Sequence, residues 1–412
     1  MKHVKISVLV PGMVTAEDVL GQSKQLVLPK GLVLTDRAIA RLEFHEIKSI
    51  RIEDPVGIEV EEVQEEEEEL PEVATDISLF GTDTASLLAA IDLIGEDDSN
   101  EPETELQPEV QTPNVVTDLG ESHFEQVQKS EEFKHFKKEF ESNLEDFKGQ
   151  LNDIVEKNAP IEVDNMLEST MNLLSSQKSS FGVFDMLHNM RQYDDLTFAH
   201  SMNVSLICNV FADWLGLTEE EKKLATACGM LHDIGKLKID DAIIKKPGKL
   251  TDEEYLAIKR HPVEGYKILQ HQAINEHIKS AALMHHEKCD GSGYPLKLQG
   301  DKIDPYARMV AIADVYDAMT SARVYRGALC PFTVIEMFER EGLHKYDIVF
   351  IMTFLENVIN TYIDNRVALS NGDTGVIKWI DKNNLSKPMI QLANGNFIEL
   401  SKMPDVKIVQ IL

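Results

Sequence analysis

Two short stretches of this 412-residue chain concentrate residue types that suit metal ions: His232-Asp233 and the segment His285–Pro295. His232 and Asp233 close an apolar run of helical character (Leu224, Ala225, Ala227, Cys228, Met230, Leu231), so both should point inward. A buried carboxylate is costly unless it is paired or binds a cation. Imidazole nitrogen and carboxylate oxygen are metal donors, and the two carboxylate oxygens can bridge two ions. Taken alone, the pair reads more readily as a hydrogen-bonded core pair. Further residues sit at similarly awkward places. His200 lies one turn before Val204 and in line with Ile207 and Phe211 on an apolar helix face, and Asp314 interrupts the apolar run from Met309 to Tyr316. His261 precedes Pro262 at a helix start, and His285-His286 end a helix begun near Asn275. A lone buried histidine is usually a satisfied core residue, but shared metal ligation explains all these positions with one cause.

In chain order, His200, His232-Asp233-Ile234-Gly235-Lys236, His261, His285-His286-Glu287, Asp290-Gly291-Ser292-Gly293-Tyr294-Pro295 and Ala313-Asp314 resemble the HD-GYP phosphodiesterases. The similarity covers about residues 181–364 and continues through Asp317-Ala318-Met319-Thr320-Ser321 with Arg323 and Tyr325-Arg326. That family consists of helical HD-domain enzymes that hydrolyse cyclic di-GMP to linear pGpG, often onward to GMP. The resemblance implies that His200, His232, Asp233 and Asp314 hold one metal. Asp233 would bridge to a second ion held by His261, His285 and His286. Two divalent ions, iron or manganese, would then activate a water as hydroxide for in-line attack on the phosphodiester. Some family members bind a third ion through an acid one turn before the position of His200. Here that position is Leu196, and Asp194 and Asp195 would point elsewhere on a regular helix, so two ions are expected.

Lys236 follows Asp233 by three residues, and a continuing helix would put both on one face. With Asp233 it forms the expected catalytic set, contacting a phosphate or leaving oxygen; the bland reading is a solvated lysine. The resemblance also implies substrate-phosphate contacts for Arg323 and Arg326, a role that suits the planar guanidinium fork. An ion pair with Asp317 or Glu287 competes with it. Gly291 and Gly293 permit a tight turn, with Tyr294 and Pro295 stiffening it and offering a ring face to a guanine; alternatively the loop only braces the metal site. Where the family has a glycine two residues beyond Pro295, this chain has Lys297.

The elements that must position these residues are mainly helices. Residues 181–364 read as a helical HD-type domain, with Gly216 ending the helix from Phe198 to Trp214. Thr218/Glu221 and Thr251/Glu254 have capping-box spacing, and Asp304-Pro305 opens a helix by the N-cap and N1 rule. Residues 1–57 read as a small α+β module, with strands at Val4–Val10, Gln25–Leu28 and Ser49–Ile52 and a helix capped by Asp36. Residues 365–412 form short strands with turns at Asn371-Gly372 and Asn394-Gly395. Within residues 126–180, Phe133, Phe136, Phe140, Leu144, Phe147, Leu151 and Ile154 alternate steps of three and four, marking one helix face. Packing on the next domain and homodimerisation through residues 131–157 both fit that stripe.

Residues 58–125 are acidic and polar, with five consecutive glutamates at Glu65–Glu69, and read as a disordered linker with a short helix near Ser86–Ile94. Much of the formal net charge of −30 lies there. Such a chain repels nucleic-acid polymers and anionic membranes, yet bound cations can still make a local phosphate site. Neither a signal-peptide pattern nor a span-length apolar run occurs, so no membrane insertion is expected. The four cysteines (Cys208, Cys228, Cys289, Cys330) are scattered, with neither disulfide nor metal spacing, as in a cytoplasmic protein with reduced thiols. The leading expectation is a cyclic di-GMP phosphodiesterase, regulated or assembled through its N-terminal regions. The alternatives are an HD-domain hydrolase of another cyclic dinucleotide, and a signalling adaptor that binds a cyclic dinucleotide or a protein partner without turnover.

Overall fold

The computed structural model describes residues 2–20, 26–44, 47–53, 123–175, 180–190, 196–246, 248–321, 328–382 and 384–412. The architecture is mainly helical, with small sheets at both ends of the chain. In the first module, β1 (Lys2–Lys5), β2 (Val19–Leu20), β3 (Leu26–Leu28), α1 (Asp36–Phe44) and β4 (Ser49–Ile52) surround a small core of their own that includes Val4, Leu28, Leu42 and Ile52. β1 pairs antiparallel with β4, and β2 with β3. Two sequence expectations change here. The strand expected over Val4–Val10 stops at Lys5, because Ile6–Val8 turn into a 3-10 segment. The cap of α1 is Thr35 rather than Asp36: the Thr35 hydroxyl accepts the Ala38 N–H at 3.2 Å, which only the residue before the first helical turn can do.

Residues 54–122 fall outside the described residues, and with them nearly all of the acidic segment and the helix expected near Ser86–Ile94. Its last residues, from His123, already belong to α2 (His123–Lys129). Next comes α3 (Glu131–Lys157), opened by Ser130, whose side chain accepts the Phe133 N–H, and closed by Asn158 at φ +52°. All of its apolar stripe, from Phe133 to Ile154, is buried in the main core. Each such side chain contributes roughly 1.5–3 kcal/mol by leaving water. The stripe is thus covered within one chain, as the packing reading expects.

The central body continues with α4 (Val163–Ser175), α5 (Ser180–Asn189), α6 (Leu196–Trp214), α7 (Glu219–Leu231), α8 (Asp241–Ile244) and α9 (Asp252–Lys259). Then follow α10 (His261–Leu269), α11 (Glu276–Met284), α12 (Pro305–Thr320), α13 (Pro331–Met337), α14 (Leu343–Lys345) and α15 (Ile348–Val358). Both expected capping boxes form, at Thr218/Glu221 and Thr251/Glu254. Asp304 caps α12 by accepting the Tyr306 and Ala307 N–H groups, with Pro305 in the first turn. Helices α6, α7, α11 and α12 pack together around the residues singled out above, and α1 rests on α15, sending Ala40 into the main core. At the chain's end, β5 (Arg366–Leu369), β6 (Thr374–Asp381), β7 (Asn384–Leu392), β8 (Phe397–Glu399) and β9 (Ile408–Ile411) form an antiparallel sheet in the order β8-β7-β6-β5-β9. Gly372 and Gly395 turn its hairpins at φ +90° and +85°. Glu339 ties it to the helices by accepting the Leu385 N–H at 2.9 Å. Among the described residues no helix is long and apolar enough to cross a membrane.

Candidate metal centre

α7 ends at Leu231 with His232 as its C-cap, and Asp233 leads into a tight 3-10 turn, Ile234–Lys238. The turn takes that course because Gly235 presses on the start of α10. A Cβ there would overlap the His261 carbonyl oxygen and the Gly265 nitrogen. This contact brings His261 beside Asp233. From the other side α6 brings His200 and α12 brings Asp314, while the C-terminal end of α11 delivers His285 and His286.

The seven expected ligands fall into overlapping sets: His200, His232 and Asp314; His232, Asp233 and His285; and His261, His285 and His286. Asp233 lies between them. Its Oδ2 is 3.4 Å from His232 Nε2 and 3.7 Å from His200 Nε2, while its Oδ1 is 3.2 Å from His261 Nε2 and 3.7 Å from His285 Nε2. His200 Nε2 is 2.9 Å from Asp314 Oδ1. Burial would raise the Asp233 carboxyl, but Lys236 and His232 outweigh it and hold it well below the usual range. Burial acts the same way on Asp314 and is outweighed by the His200 hydrogen bond. Burial, reinforced by neighbouring imidazoles, keeps His285 and His286 well below theirs. Ionised carboxylates and neutral imidazoles are the forms that bind cations.

Donor chemistry alone would permit a mutually hydrogen-bonded polar core. Two atoms argue otherwise: His232 Nε2 and Asp233 Oδ1 are buried without a hydrogen-bond partner. Unpaired buried polar atoms destabilise, and both face the shared space, so the donor set fits divalent ions.

Lys236 does not lie on a continuing α-helix as expected. The 3-10 turn carries it instead, and its ammonium sits 2.5 Å from Asp233 Oδ2. The loop beyond His286 is tightly fitted. Gly293 admits no Cβ, since one would overlap the backbone at Lys288 and Glu287. Tyr294 stacks on His286, ring centroids 4.7 Å apart, with Lys259 Nζ 4.9 Å from the same ring, and its bond to Pro295 is cis. Lys297 takes the left-handed conformation at φ +53° that a glycine would adopt freely. Buried Glu287 steadies that bend by accepting the Leu296 N–H at 2.6 Å and the Leu298 N–H at 2.9 Å. Burial raises the Glu287 carboxyl pKa, and these N–H groups only partly offset it. Arg323 and Arg326 lie outside the described residues, as do Asp194 and Asp195. Leu196 begins α6, one turn before His200.

Sequence reasoning missed Glu287 as a loop anchor and Asp317 as a partner of His200 Nδ1, 2.7 Å away. Spacing could have found Asp317, which shares a helix face with Asp314 three residues earlier.

Residues 163–349 match the family model described as HD domain, so the match begins at α4. The chain is 43% identical over 145 residues to 3'3'-cGAMP-specific phosphodiesterase 1 of Vibrio cholerae, covering 35% of this chain and 34% of that protein. It is 45% identical over 138 residues to the cyclic di-GMP phosphodiesterase response regulator RpfG of Xanthomonas campestris, covering 33% and 36%. A cyclic di-GMP phosphodiesterase of Pseudomonas aeruginosa is 34% identical over 220 residues, covering 53% and 52%. The chain thus spans about a third to a half of the length of these relatives. The part of the chain similar to HD-domain proteins is thus residues 163–349, and the proteins it resembles there include cyclic di-GMP and 3'3'-cGAMP phosphodiesterases.

Proposed function

We propose that the chain is a metal-dependent phosphodiesterase that hydrolyses cyclic di-GMP to linear pGpG, with GMP as a further product to look for. The observation that carries this is Asp233, whose two oxygens face separate histidine groups while one of them lacks any hydrogen-bond partner. His200, His232, Asp233 and Asp314 would hold one ion, and Asp233, His261, His285 and His286 the other. Iron or manganese bound there would supply Lewis acidity and a hydrolytic water near neutral pH. Lys236 adds positive charge beside Asp233, where it can meet a phosphate or leaving oxygen. Arg323 and Arg326 complete the phosphate contacts, and Gly293 and Pro295 shape the rim. Tyr294 stacks on His286 and so braces the rim, and it can also offer a ring face to a guanine. In this reading residues 1–57 and 365–412 are accessory to the catalytic segment, 181–364.

A second substrate is worth equal attention, because several relatives are named for 3'3'-cGAMP. Purified protein loaded with manganese or iron should be given each dinucleotide, and the products separated by ion-exchange chromatography. A linear dinucleotide from wild type and none from Asp233→Ala is expected. Tight binding without turnover under every metal would replace this reading with that of a non-hydrolysing sensor.

A further inference from the structure

In the candidate centre, His232, His261 and His285 each have Nδ1 satisfied by a backbone carbonyl: Gly229 at 2.7 Å, Ile258 at 2.7 Å and Ala281 at 3.0 Å. His200 is built differently. Its Nδ1 meets a carboxylate, Asp317 Oδ2, at 2.7 Å, and Asp317 is buried. That carboxylate is itself fixed, since Oδ1 accepts from Asn203 Nδ2 at 3.1 Å and from Ser321 Oγ at 3.2 Å. An imidazole can offer a lone pair at Nε2 only when its proton sits on Nδ1. Any acceptor at Nδ1 selects that tautomer. A carboxylate also brings a full negative charge, which makes Nε2 the stronger donor.

Resting on the metal-centre reading above, we propose that Asp317 is a positioning residue that makes the His200–His232–Asp314 position the tighter of two metal positions and the first to fill. Charge supports this ordering. That position draws on Asp314, on the shared Asp233 and, through His200, on Asp317. The other position draws on Asp233 and the three imidazoles of His261, His285 and His286. Once one cation is in place, the second must bind against its field.

The test is titration of the metal-stripped full chain with Mn2+, read by calorimetry, together with the thermal unfolding of each metal-free variant. Asp317→Asn keeps the shape and a carbonyl oxygen for Nδ1–H but removes the charge. It should weaken the first binding step about ten- to a hundredfold and leave the second within about threefold. In a His286→Ala background, where the other position lacks a ligand, the same loss should persist. In a His200→Ala background, where Asp317 has no imidazole to act through, the loss should vanish. Should the Asn variant fail to fold, Asn203→Ala, which frees one support of the carboxylate, should give a smaller loss of the same selective kind. Equal weakening of both steps, an unchanged first step, or a loss that survives in the His200→Ala background would overturn the proposal. A wild type that binds no Mn2+ would instead remove the metal-centre reading, and this inference with it.

Discussion

The two sides of the candidate centre are built by different means. His200 and Asp314 project from within helices α6 and α12, whose packing belongs to the main core. His261, His285 and His286 come from helix ends, backed by a separate small cluster of Tyr266, Leu283, Met284, Ile303 and Ala307. Side chains within helices inherit their position from the packing of a whole element. Side chains at helix ends depend on the turns beside them, here the Gly235 contact and the Glu287-anchored loop. The first side should therefore be sensitive to side-chain chemistry and the second to backbone geometry.

Asp233 belongs to both sides, so its loss should have the largest effect. Asp233→Ala should abolish cyclic-dinucleotide hydrolysis and bring bound metal below one ion per chain, measured by elemental analysis. Retention of two ions would show that the sides do not share this residue. Gly235→Ala tests the second side, because its new methyl collides with the His261 carbonyl. Destabilisation of about 1–3 kcal/mol is expected, seen as a lower melting temperature. Gly149→Ala in α3 is the control, since beyond its own helical turn nothing lies within 4 Å of the added carbon, and it should stabilise by about 0.5–1 kcal/mol.

His277 offers a pH-dependent probe away from the ligands. Its Nδ1 lies 2.6 Å from Asp304 Oδ2, and that hydrogen bond raises the imidazole pKa although burial lowers it. A raised folded-state value means the stabilisation is fully present below the unfolded pKa, about 6.5, and fades as pH rises through the folded value. The melting temperature of wild type should therefore exceed that of His277→Asn most at pH below about 6, with the gap closing on the alkaline side. A gap that widens with pH would contradict this. The smallest effect is expected from Lys297→Gly, which relieves a left-handed lysine at φ +53°. Stabilisation of about 0.5–1 kcal/mol in chemical denaturation would confirm that Glu287 holds a strained bend.

Features that depend on neighbours within a turn were legible in the sequence. Thr218 with Glu221, Thr251 with Glu254, Asp304 with Pro305, and the turns at Gly372 and Gly395 all form where their spacing predicts them. The cap of α1 failed by one residue because Thr35 and Asp36 are both competent, and only the path of the entering chain distinguishes them. The seven candidate ligands were readable as a set because polar residues on apolar faces stand out in one dimension. Asp317 was harder to read, since its partner lies 117 residues away.

By itself, then, the sequence determined the local caps and turns, the apolar face of α3 and the residue types able to bind metal. Tertiary structure decided what covers that face, which oxygen of Asp233 meets which histidines, and that His200 alone among the compared imidazoles is backed by a carboxylate. The division has a physical cause. Caps and periodic faces arise from contacts within about four residues, where helix geometry leaves few choices. Contacts across more than a hundred residues are set only when packed helices fix their relative rotation and height.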